Sequence, residues 1–337
     1  MPTKISDSIA RVLRDNVVSR TEVQSLLTEA RAQPTPETKA ALADLLAHHA
    51  DRFSPAAKTD LQAFLGAPSP TPAPAPATTT RSIDDPAVLA KHATDTTWKP
   101  VENGTLFVDG VNFDDVVQGS IANCYMVGAF SAVAQANPDA IKNAFKENAD
   151  GTLTVRFFEK QAGGVMKPVE VTIDRDLPQN TFGAMKYAHA RDDKELWVGL
   201  LEKAYAQWKG SYDTVGNGGY PGEVIGAITG KPTTWTSSKF ADANTVWTNV
   251  KNGAAAHKPM TAPTYGKDAG VDYSGTGVYA WHVYTVLGAG EENGQKYVQL
   301  RNPWGNTEPG SDGKNDGIFK MKLEDFTKLY QGVDVGN

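Results

Sequence analysis

The first part of the chain has the hydrophobic spacing of amphipathic helices. Through residues 1–66, apolar side chains recur three or four positions apart, as at Val23 and Leu26. Ser19 fits a helix N-cap, with Glu22 as the acid of a capping box. The pattern predicts a small helical segment, for which we expect a docking or regulatory role. A solubilising appendage is the alternative.

The two halves of this helical segment contain similar sequences. Val18-Ser19 precedes one predicted helix, and Phe53-Ser54 precedes another over 55–65. The similarity predicts two helix starts of the same kind. The loops lack the spaced acids that a calcium-binding helix–loop–helix needs.

A stretch rich in proline, alanine and threonine follows. Residues 67–82 alternate proline with small residues, which cannot build a hydrophobic core and favour extended polyproline II. We therefore expect a linker here, between the helical segment and the remainder of the chain at 83–337.

Beyond this linker, helical and strand patterns alternate without the regular rhythm of a parallel sheet. The run 125–134 is apolar and predicts a buried helix. Residues 279–287 and 296–301 are typical strands, which a short glycine-containing turn joins into a hairpin. The predicted fold class is α+β, with a helix-rich first lobe over about 83–232 and an antiparallel-sheet second lobe over about 233–337.

The composition adds to this picture only by excluding some classes of protein. The chain of 337 residues has a net charge of −6 and is 40% hydrophobic, as expected of a globular protein with a sizeable core. A net acidic chain does not attract nucleic acid, and no apolar stretch reaches the length of a membrane span. No secretory signal is visible at the N-terminus. We expect a soluble protein, cytoplasmic by default, with export by a route other than Sec left open.

Cys124 is the single cysteine of the chain, so it cannot form an internal disulfide. Gly119 and Ser120 suit a turn before the predicted apolar helix, which places the thiol at a helix N-terminus. Unpaired amides and the helix dipole stabilise a thiolate at such a position. We therefore expect a nucleophile with a low thiol pKa. A small buried residue is the alternative interpretation.

Three more residues complete a candidate catalytic set. His282 lies near the start of one strand of the predicted hairpin and Asn302 follows the other, so the two can meet at one edge of the sheet. Cysteine, histidine and asparagine form one version of the nucleophile–base–orienter arrangement. Gln118 precedes Cys124 by six residues, and its amide can join the Cys124 N–H in stabilising an oxyanion.

Several longer stretches resemble the calpain family of cysteine proteases, in the same order and with matching spacing. They are residues 118–124, 200–206, 210–212, 282–286 and 301–305, with 108–110 before the cysteine and 319–326 near the end. The resemblance covers roughly residues 83–337 and is far more specific than a single short motif. It implies a two-lobed, papain-like endopeptidase that acts on proteins or peptides and needs no organic cofactor.

The resemblance also implies a cleft between the lobes. One lobe would carry the glutamine and the cysteine, and the other the histidine and the asparagine. An extended peptide would bind between them. Trp304 is expected to shield the His–Asn pair or to line the cleft, and Gly218 and Gly219 are expected to pair with the substrate backbone.

Three residues beside the chemistry depart from the family pattern. Asn123 and Tyr125 stand where the family usually has Asp and Trp, and Trp281 stands where it usually has Gly. A non-catalytic binding module on the same core is one alternative, which the intact Gln-Cys-His-Asn set disfavours. A Cys-His acyl transferase is another, which Asn302 disfavours because such enzymes use an aspartate.

Calpain cores bind calcium, and the resemblance implies two candidate sites. The residues that match the first are Val108, Gly110, Asp115 and Glu202. The residues near the second, weaker site are Glu308, Asp312 and Asp316. Carboxylate and carbonyl oxygens are the ligands that Ca²⁺ prefers.

One link between the two calcium sites differs from the family. The family pairs an arginine in the first lobe with an acid in the second, and the matching residues are Phe113 and Ile318. An apolar pair in place of an ion pair removes a charge-based coupling between the lobes. We therefore expect calcium binding at the first site with weak or absent calcium control of activity.

Overall fold

The structure is a computed structural model that describes residues 5, 8, 9, 12, 13, 18–32, 36–50, 52–65, 81–310 and 313–337. The chain divides into two units. The first comprises Met1–Thr78 with Phe107–Gly110, and the second comprises Thr79–Leu106 with Val111–Asn337. Residues 67–80 of the predicted linker lie outside the described residues.

The first unit is helical wherever its regular structure is described. Its helices are α1 (Arg20–Ala32), α2 (Pro36–His49) and α3 (Pro55–Leu65). Val23, Leu42 and Leu61, one from each helix, are fully buried in a shared core. The capping box is confirmed, since the Ser19 N–H donates to Glu22 Oε2 (2.9 Å) and the Glu22 N–H donates to Ser19 Oγ (3.3 Å).

The two similar helix starts of this unit lie side by side. Val18 and Phe53 form a parallel β-bridge. The Val18 N–H donates to the Arg52 carbonyl (2.7 Å), and the Ser54 N–H donates to the Val18 carbonyl (3.0 Å). The repeated sequence therefore corresponds to a structural pairing, although the two copies are separated by a full helix.

The second unit mixes helices with strands. Its helices are α4 (Cys124–Ala136), α5 (Pro138–Lys142), α6 (Trp197–Lys209), α7 (Tyr212–Val215), α8 (Pro221–Thr229), α9 (Ala243–Ala255) and α10 (Leu323–Leu329), with 3₁₀ turns at Ala90–His92 and Lys267–Ala269. Its strands are β1 (Thr97–Pro100), β2 (Val116–Val117), β3 (Phe145–Glu147), β4 (Leu153–Lys160), β5 (Met166–Ile173), β6 (Asp176–Gln179), β7 (His189–Ala190), β8 (Thr233–Ser237), β9 (Met260–Pro263), β10 (Val283–Glu292), β11 (Gln295–Arg301), β12 (Ile318–Lys322) and β13 (Gly332–Gly336). Within the described part of the chain, no helix is both long and apolar enough to cross a lipid bilayer.

The strands of the second unit form sheets of unequal size. One lobe contains the three-stranded sheet β3-β4-β5, and the other contains a six-stranded sheet in the order β12-β11-β10-β9-β13-β8. The named strands pair antiparallel throughout. The predicted hairpin is present as β10-β11, with Thr285 opposite Arg301. The α+β prediction is confirmed.

Helix α4 is apolar on all sides, which is typical of a helix enclosed in a core. Its residues Tyr125–Ala134 are all buried. It ends at Ala136, because Asn137 precedes a proline and such residues disfavour the helical conformation. The predicted buried helix is therefore present, and it begins at Cys124.

A glycine lets helix α4 and strand β10 approach closely. A Cβ atom at Gly128 would lie 3.4 Å from the side chain of Val283, so any larger residue would crowd the strand. The hydroxyl of Thr285 donates to the Gly128 carbonyl at 2.8 Å. This contact joins the two lobes immediately behind the candidate catalytic residues.

Strand β13 has almost no signal in the hydrophobic pattern. It is the five-residue stretch Gly332–Gly336, with glycine at both ends. It nevertheless lies inside the six-stranded sheet, between β8 and β9. Its partners are far away in the sequence, so tertiary pairing rather than local preference defines it.

Candidate active site

Cys124 is the first residue of helix α4 and is half-buried. The backbone amides of Val283, Tyr125 and Cys124 itself each act to lower the pKa of its thiol. Two of these groups belong to the helix N-terminus, and the third begins strand β10. The thiol therefore lies beside the residue that directly follows His282.

The amide of Asn302 fixes the orientation of His282. Asn302 Oδ1 lies 2.9 Å from His282 Nε2, and it also accepts from the Trp304 N–H at 3.2 Å. Asn302 Nδ2 donates to the Thr307 carbonyl at 2.9 Å. Because these backbone partners set which end of the amide is the acceptor, His282 Nε2 must carry the proton. His282 Nδ1 is then unprotonated and can act as a base.

The surroundings of His282 exclude water from the His–Asn hydrogen bond. His282 is buried and Asn302 is fully buried. The Trp304 ring lies 4.7 Å from the imidazole, measured between centroids, as expected for a shielding residue. Thr264, which no sequence motif marks, accepts from the His282 N–H (2.9 Å) through its hydroxyl.

Burial shifts both catalytic groups toward their uncharged forms. It raises the pKa of the Cys124 thiol, although the three backbone hydrogen bonds act in the opposite direction. It lowers the pKa of His282 to about 4, against the opposing effect of the Asn302 hydrogen bond. The expectation of a low thiol pKa from the helix N-terminus alone is therefore wrong for this structure, because loss of solvent outweighs the amides.

Gln118 lies in the turn that leads to Cys124. Its Nε2 donates to the Ile121 carbonyl (2.8 Å), and its backbone N–H donates to the Pro303 carbonyl (2.9 Å), which is beside Asn302. Its Oε1 is buried and makes no hydrogen bond within the protein. The Nε2 group has a second hydrogen besides the one that it donates to Ile121.

The predicted cleft glycines lie beside the cysteine segment. Asn217 pairs with Ala122 in a parallel bridge, and residues 217–220 are exposed. Gly218 has a φ of 84°, and a Cβ at Gly219 would lie 2.5 Å from the Tyr125 ring. The exposed backbone of this run is available to a bound peptide.

Glu202 has surroundings that do not fit a calcium ligand. It is fully buried; Oε1 accepts from Asn123 Nδ2 (2.6 Å) and Oε2 accepts from the Ala188 N–H (3.0 Å). Burial raises its pKa to about 8. The acid that the structure brings beside Asp115 is Glu195, with a carboxylate oxygen of each within 4.8 Å.

The other residues predicted for the first calcium site are Val108, Gly110 and Asp115. Val108 and Gly110 belong to the first unit, and Gly110 has a φ of 112°. Asp115 lies in the second unit, where its Oδ2 accepts from the Asn112 N–H (2.8 Å) and from Trp197 Nε1 (3.2 Å).

The acids predicted for the second calcium site bind backbone groups of their own loop. Glu308 Oε2 accepts from the Gly317 N–H at 2.5 Å, and Asp316 Oδ1 accepts from the Ile318 N–H at 3.0 Å. Asp312 lies outside the described residues.

Two arginines that the sequence did not single out join the lobes. Arg301, fully buried, donates to the carbonyls of Asp114 (3.1 Å) and Val116 (2.7 Å). Arg191 donates to the carbonyls of Asp114 (2.8 Å) and Gly305 (2.6 Å). The only sequence signal was the position of Arg301 directly before Asn302. Together the two side chains link the segment after residue 112 to the loop that follows Asn302.

Comparisons with known proteins agree with this arrangement. A family model described as calpain family cysteine protease matches residues 78–312. Calpain-A of Drosophila melanogaster is 28% identical over 274 residues, which cover 70% of this chain and 32% of that protein. A thiol protease of Porphyromonas gingivalis is 29% identical over 253 residues, covering 63% of this chain and 52% of that protein. The calpain-2 catalytic subunit of Rattus norvegicus is 24% identical over 263 residues, covering 68% and 36%.

Fold, site and matches together define a cysteine peptidase, a hydrolase. More narrowly, the chain belongs to the calpain family of cysteine proteases. It spans 32% of the length of Calpain-A and 52% of the length of the bacterial thiol protease.

Proposed function

We propose that this chain hydrolyses internal peptide bonds of protein substrates, with Cys124 as nucleophile, His282 as base and then acid, and Asn302 as the orienting residue. One observation carries the proposal. Val283, whose backbone amide acts on the pKa of the Cys124 thiol, directly follows the histidine whose Nε2 meets Asn302. Family membership supports the same chemistry.

In the acylation step, the Cys124 sulfur attacks the carbonyl carbon of the scissile bond while His282 Nδ1 takes the thiol proton. A sulfur–carbon bond forms, and the carbonyl π electrons move to the oxygen. The Cys124 N–H and the Gln118 amide donate to this oxyanion. His282 then gives its proton to the leaving nitrogen, the carbon–nitrogen bond breaks, and a thioester remains.

In the deacylation step, His282 Nδ1 takes a proton from water as the water oxygen attacks the thioester. The sulfur–carbon bond breaks, the carboxyl product leaves, and the sulfur recovers its proton from His282. Asn302 holds the Nε2–H through both steps, so the ring cannot turn its basic nitrogen away.

Cleavage of casein tests this function. The chain should generate internal fragments, identified by mass spectrometry, and Cys124→Ala should generate none. A folded wild-type chain that binds casein without cutting it would instead support the non-catalytic alternative. Transfer of an amine onto casein without cleavage would support the acyl transferase.

We propose a structural rather than a catalytic role for calcium in this protein. Asp115 and Glu195 are hard oxygen donors close enough to share one cation. A bound ion would neutralise their charges and hold the segment around Asp115. Because Arg191 and Arg301 already join the lobes through carbonyl oxygens, we propose that calcium has little effect on turnover.

Calorimetry and activity separate the two parts of the calcium proposal. Titration with calcium should release or absorb heat, and Asp115→Ala should abolish the signal. Casein cleavage in EDTA should retain most of the calcium-loaded rate. Complete inactivity in EDTA, restored by calcium, would contradict weak control, and a titration without heat or any change in melting temperature would contradict binding.

A further inference from the structure

Trp281, which directly precedes His282, has an unusual backbone. Its φ is 56°, in the left-handed region that bulky L-residues rarely adopt. Its side chain is 68% exposed, so burial in a core does not offset this strain. Strained residues of this kind cluster at active sites and ligand-binding positions, where surrounding contacts hold them.

The exposed Trp281 ring is nevertheless held in place. A Cβ atom at Gly266 would lie 2.7 Å from two carbons of the ring, so the indole rests against bare backbone there. The Trp281 N–H donates to the Tyr265 carbonyl at 3.0 Å. A fixed ring loses little conformational freedom when a ligand covers it.

Exposed aromatic residues are concentrated around the catalytic pair. Among the described residues, the large apolar side chains that are exposed are Val165, Phe182, Tyr220, Trp235, Phe240, Tyr279 and Trp281. Tyr279 and Trp281 both lie just before His282 in the chain, and Tyr279 also packs edge-on against Trp304 at 4.6 Å. Tyr220 ends the exposed run beside the cysteine segment. The segment directly before His282 therefore presents two aromatic rings to solvent.

We infer that Trp281 determines substrate specificity: its ring binds a large apolar side chain of the substrate next to the scissile bond. The inference rests on the proposed peptidase function and names a substrate class for it. The solvent-exposed indole, which rests against Gly266, offers apolar area that an aliphatic or aromatic side chain can cover. A lysine or arginine over the ring is the competing ligand, through a cation–π contact.

Cleavage-site mapping tests the inference on the full chain. Wild-type fragments of casein should show large apolar residues at one position beside the cut, preferred over alanine by about tenfold or more. Trp281→Ala should lose most of this preference, and Trp281→Phe should keep most of it. Phe240→Ala is the matched control with no expected effect. Phe240 is 85% exposed and follows β8, three strands away from β10 in the sheet.

A binding measurement separates this inference from the peptidase function. Labelled peptides with a central Leu, Phe, Ala or Lys are titrated onto Cys124→Ala, which cannot cleave them. The Leu and Phe peptides should bind more tightly than the Ala peptide, and adding Trp281→Ala should remove about a tenfold difference. If no protein is cleaved but this difference is found, the specificity inference holds and the proposed function fails.

The fold of the variants is checked by thermal melting. Trp281→Gly should melt at or above the wild-type temperature, since glycine adopts this φ without strain. An unchanged preference in Trp281→Ala would overturn the inference. So would a preference for Lys over Leu at the affected position, or a Trp281→Gly variant that melts lower while keeping the wild-type preference.

Discussion

The two halves of the catalytic site differ in how fully their polar atoms are paired. On the base side, both ends of the Asn302 amide are bonded, to His282, Trp304 and Thr307. On the nucleophile side, Gln118 Oε1 and Asn123 Oδ1 are buried without a hydrogen bond to the protein. Buried polar atoms are rarely left unpaired, and functional sites are among the exceptions.

The difference indicates which half of the site is held in place by hydrogen bonds within the protein. The base half is complete before a peptide binds, so its residues contribute to stability as well as to chemistry. The nucleophile half contains two buried acceptor oxygens to which no described group donates. Substitutions in the base half should therefore affect stability more, and those in the nucleophile half should affect turnover more.

The largest expected effect comes from Cys124→Ala. Loss of the nucleophile should lower kcat by about 10⁴-fold or more, because the residues of such a set act as a unit. The melting temperature should stay close to wild type, since alanine is a good helix former and the thiol is only half-buried. Steady-state casein cleavage and a thermal melt measure the two quantities. A variant that still cleaves would remove Cys124 from the mechanism.

Gln118→Ala should lower kcat by about 10²–10³-fold if the side chain supplies one oxyanion donor. Among the described residues, its side chain donates to the Ile121 carbonyl alone, so the free energy of unfolding should fall by about 1 kcal/mol. Gln118→Glu, which keeps the shape but loses the donor, is the control and should be equally slow. Unchanged turnover in either variant would exclude the oxyanion role.

Compared with Gln118→Ala, the substitution Asn302→Ala should have a larger effect on stability relative to its effect on kcat. It strands the His282 Nε2–H, the Trp304 N–H and the Thr307 carbonyl, so unfolding by denaturant should show a loss of about 3 kcal/mol. Its loss of kcat should be smaller than that of Cys124→Ala. If Asn302→Ala were as stable as wild type but inactive, the hydrogen bonds of the base half would not contribute more to stability than those of the nucleophile half.

The burial of His282 makes the stability of the protein depend on pH. The unfolded chain protonates His282 near its ordinary pKa of 6.5, whereas the folded chain does so near 4. Between these values the unfolded state binds more protons, so stability is full above pH 6.5 and falls as pH drops toward 4, by about 3 kcal/mol. His282→Gln should lack this contribution in denaturant titrations across that range. Parallel pH profiles of the two proteins would disprove the shift.

Local patterns were enough to predict much of this molecule. Helix α4, the β10-β11 hairpin and the Ser19–Glu22 capping box depend on neighbours in the sequence, and each is present. Residue order was also enough to suggest that His282 and Asn302 meet, because a hairpin brings its ends together.

Contacts between distant segments were not predictable in the same way. The buried Arg301, the bridging Arg191 and the placement of Glu195 beside Asp115 depend on how the lobes fold. The prediction of a low pKa for the Cys124 thiol was wrong for the same reason. A helix N-terminus is visible in the sequence, whereas the loss of solvent around the thiol is not.

Trapping of the covalent intermediate tests the central claim most directly. The chain is mixed with an activated ester of a short peptide and quenched early, and intact-mass and peptide-mapping spectrometry locate the acyl group. We expect one acyl group, linked to Cys124, that is absent in Cys124→Ala and accumulates without turning over in a His282→Ala variant. An acyl group on another residue, or ester turnover by Cys124→Ala at the wild-type rate, would contradict the account.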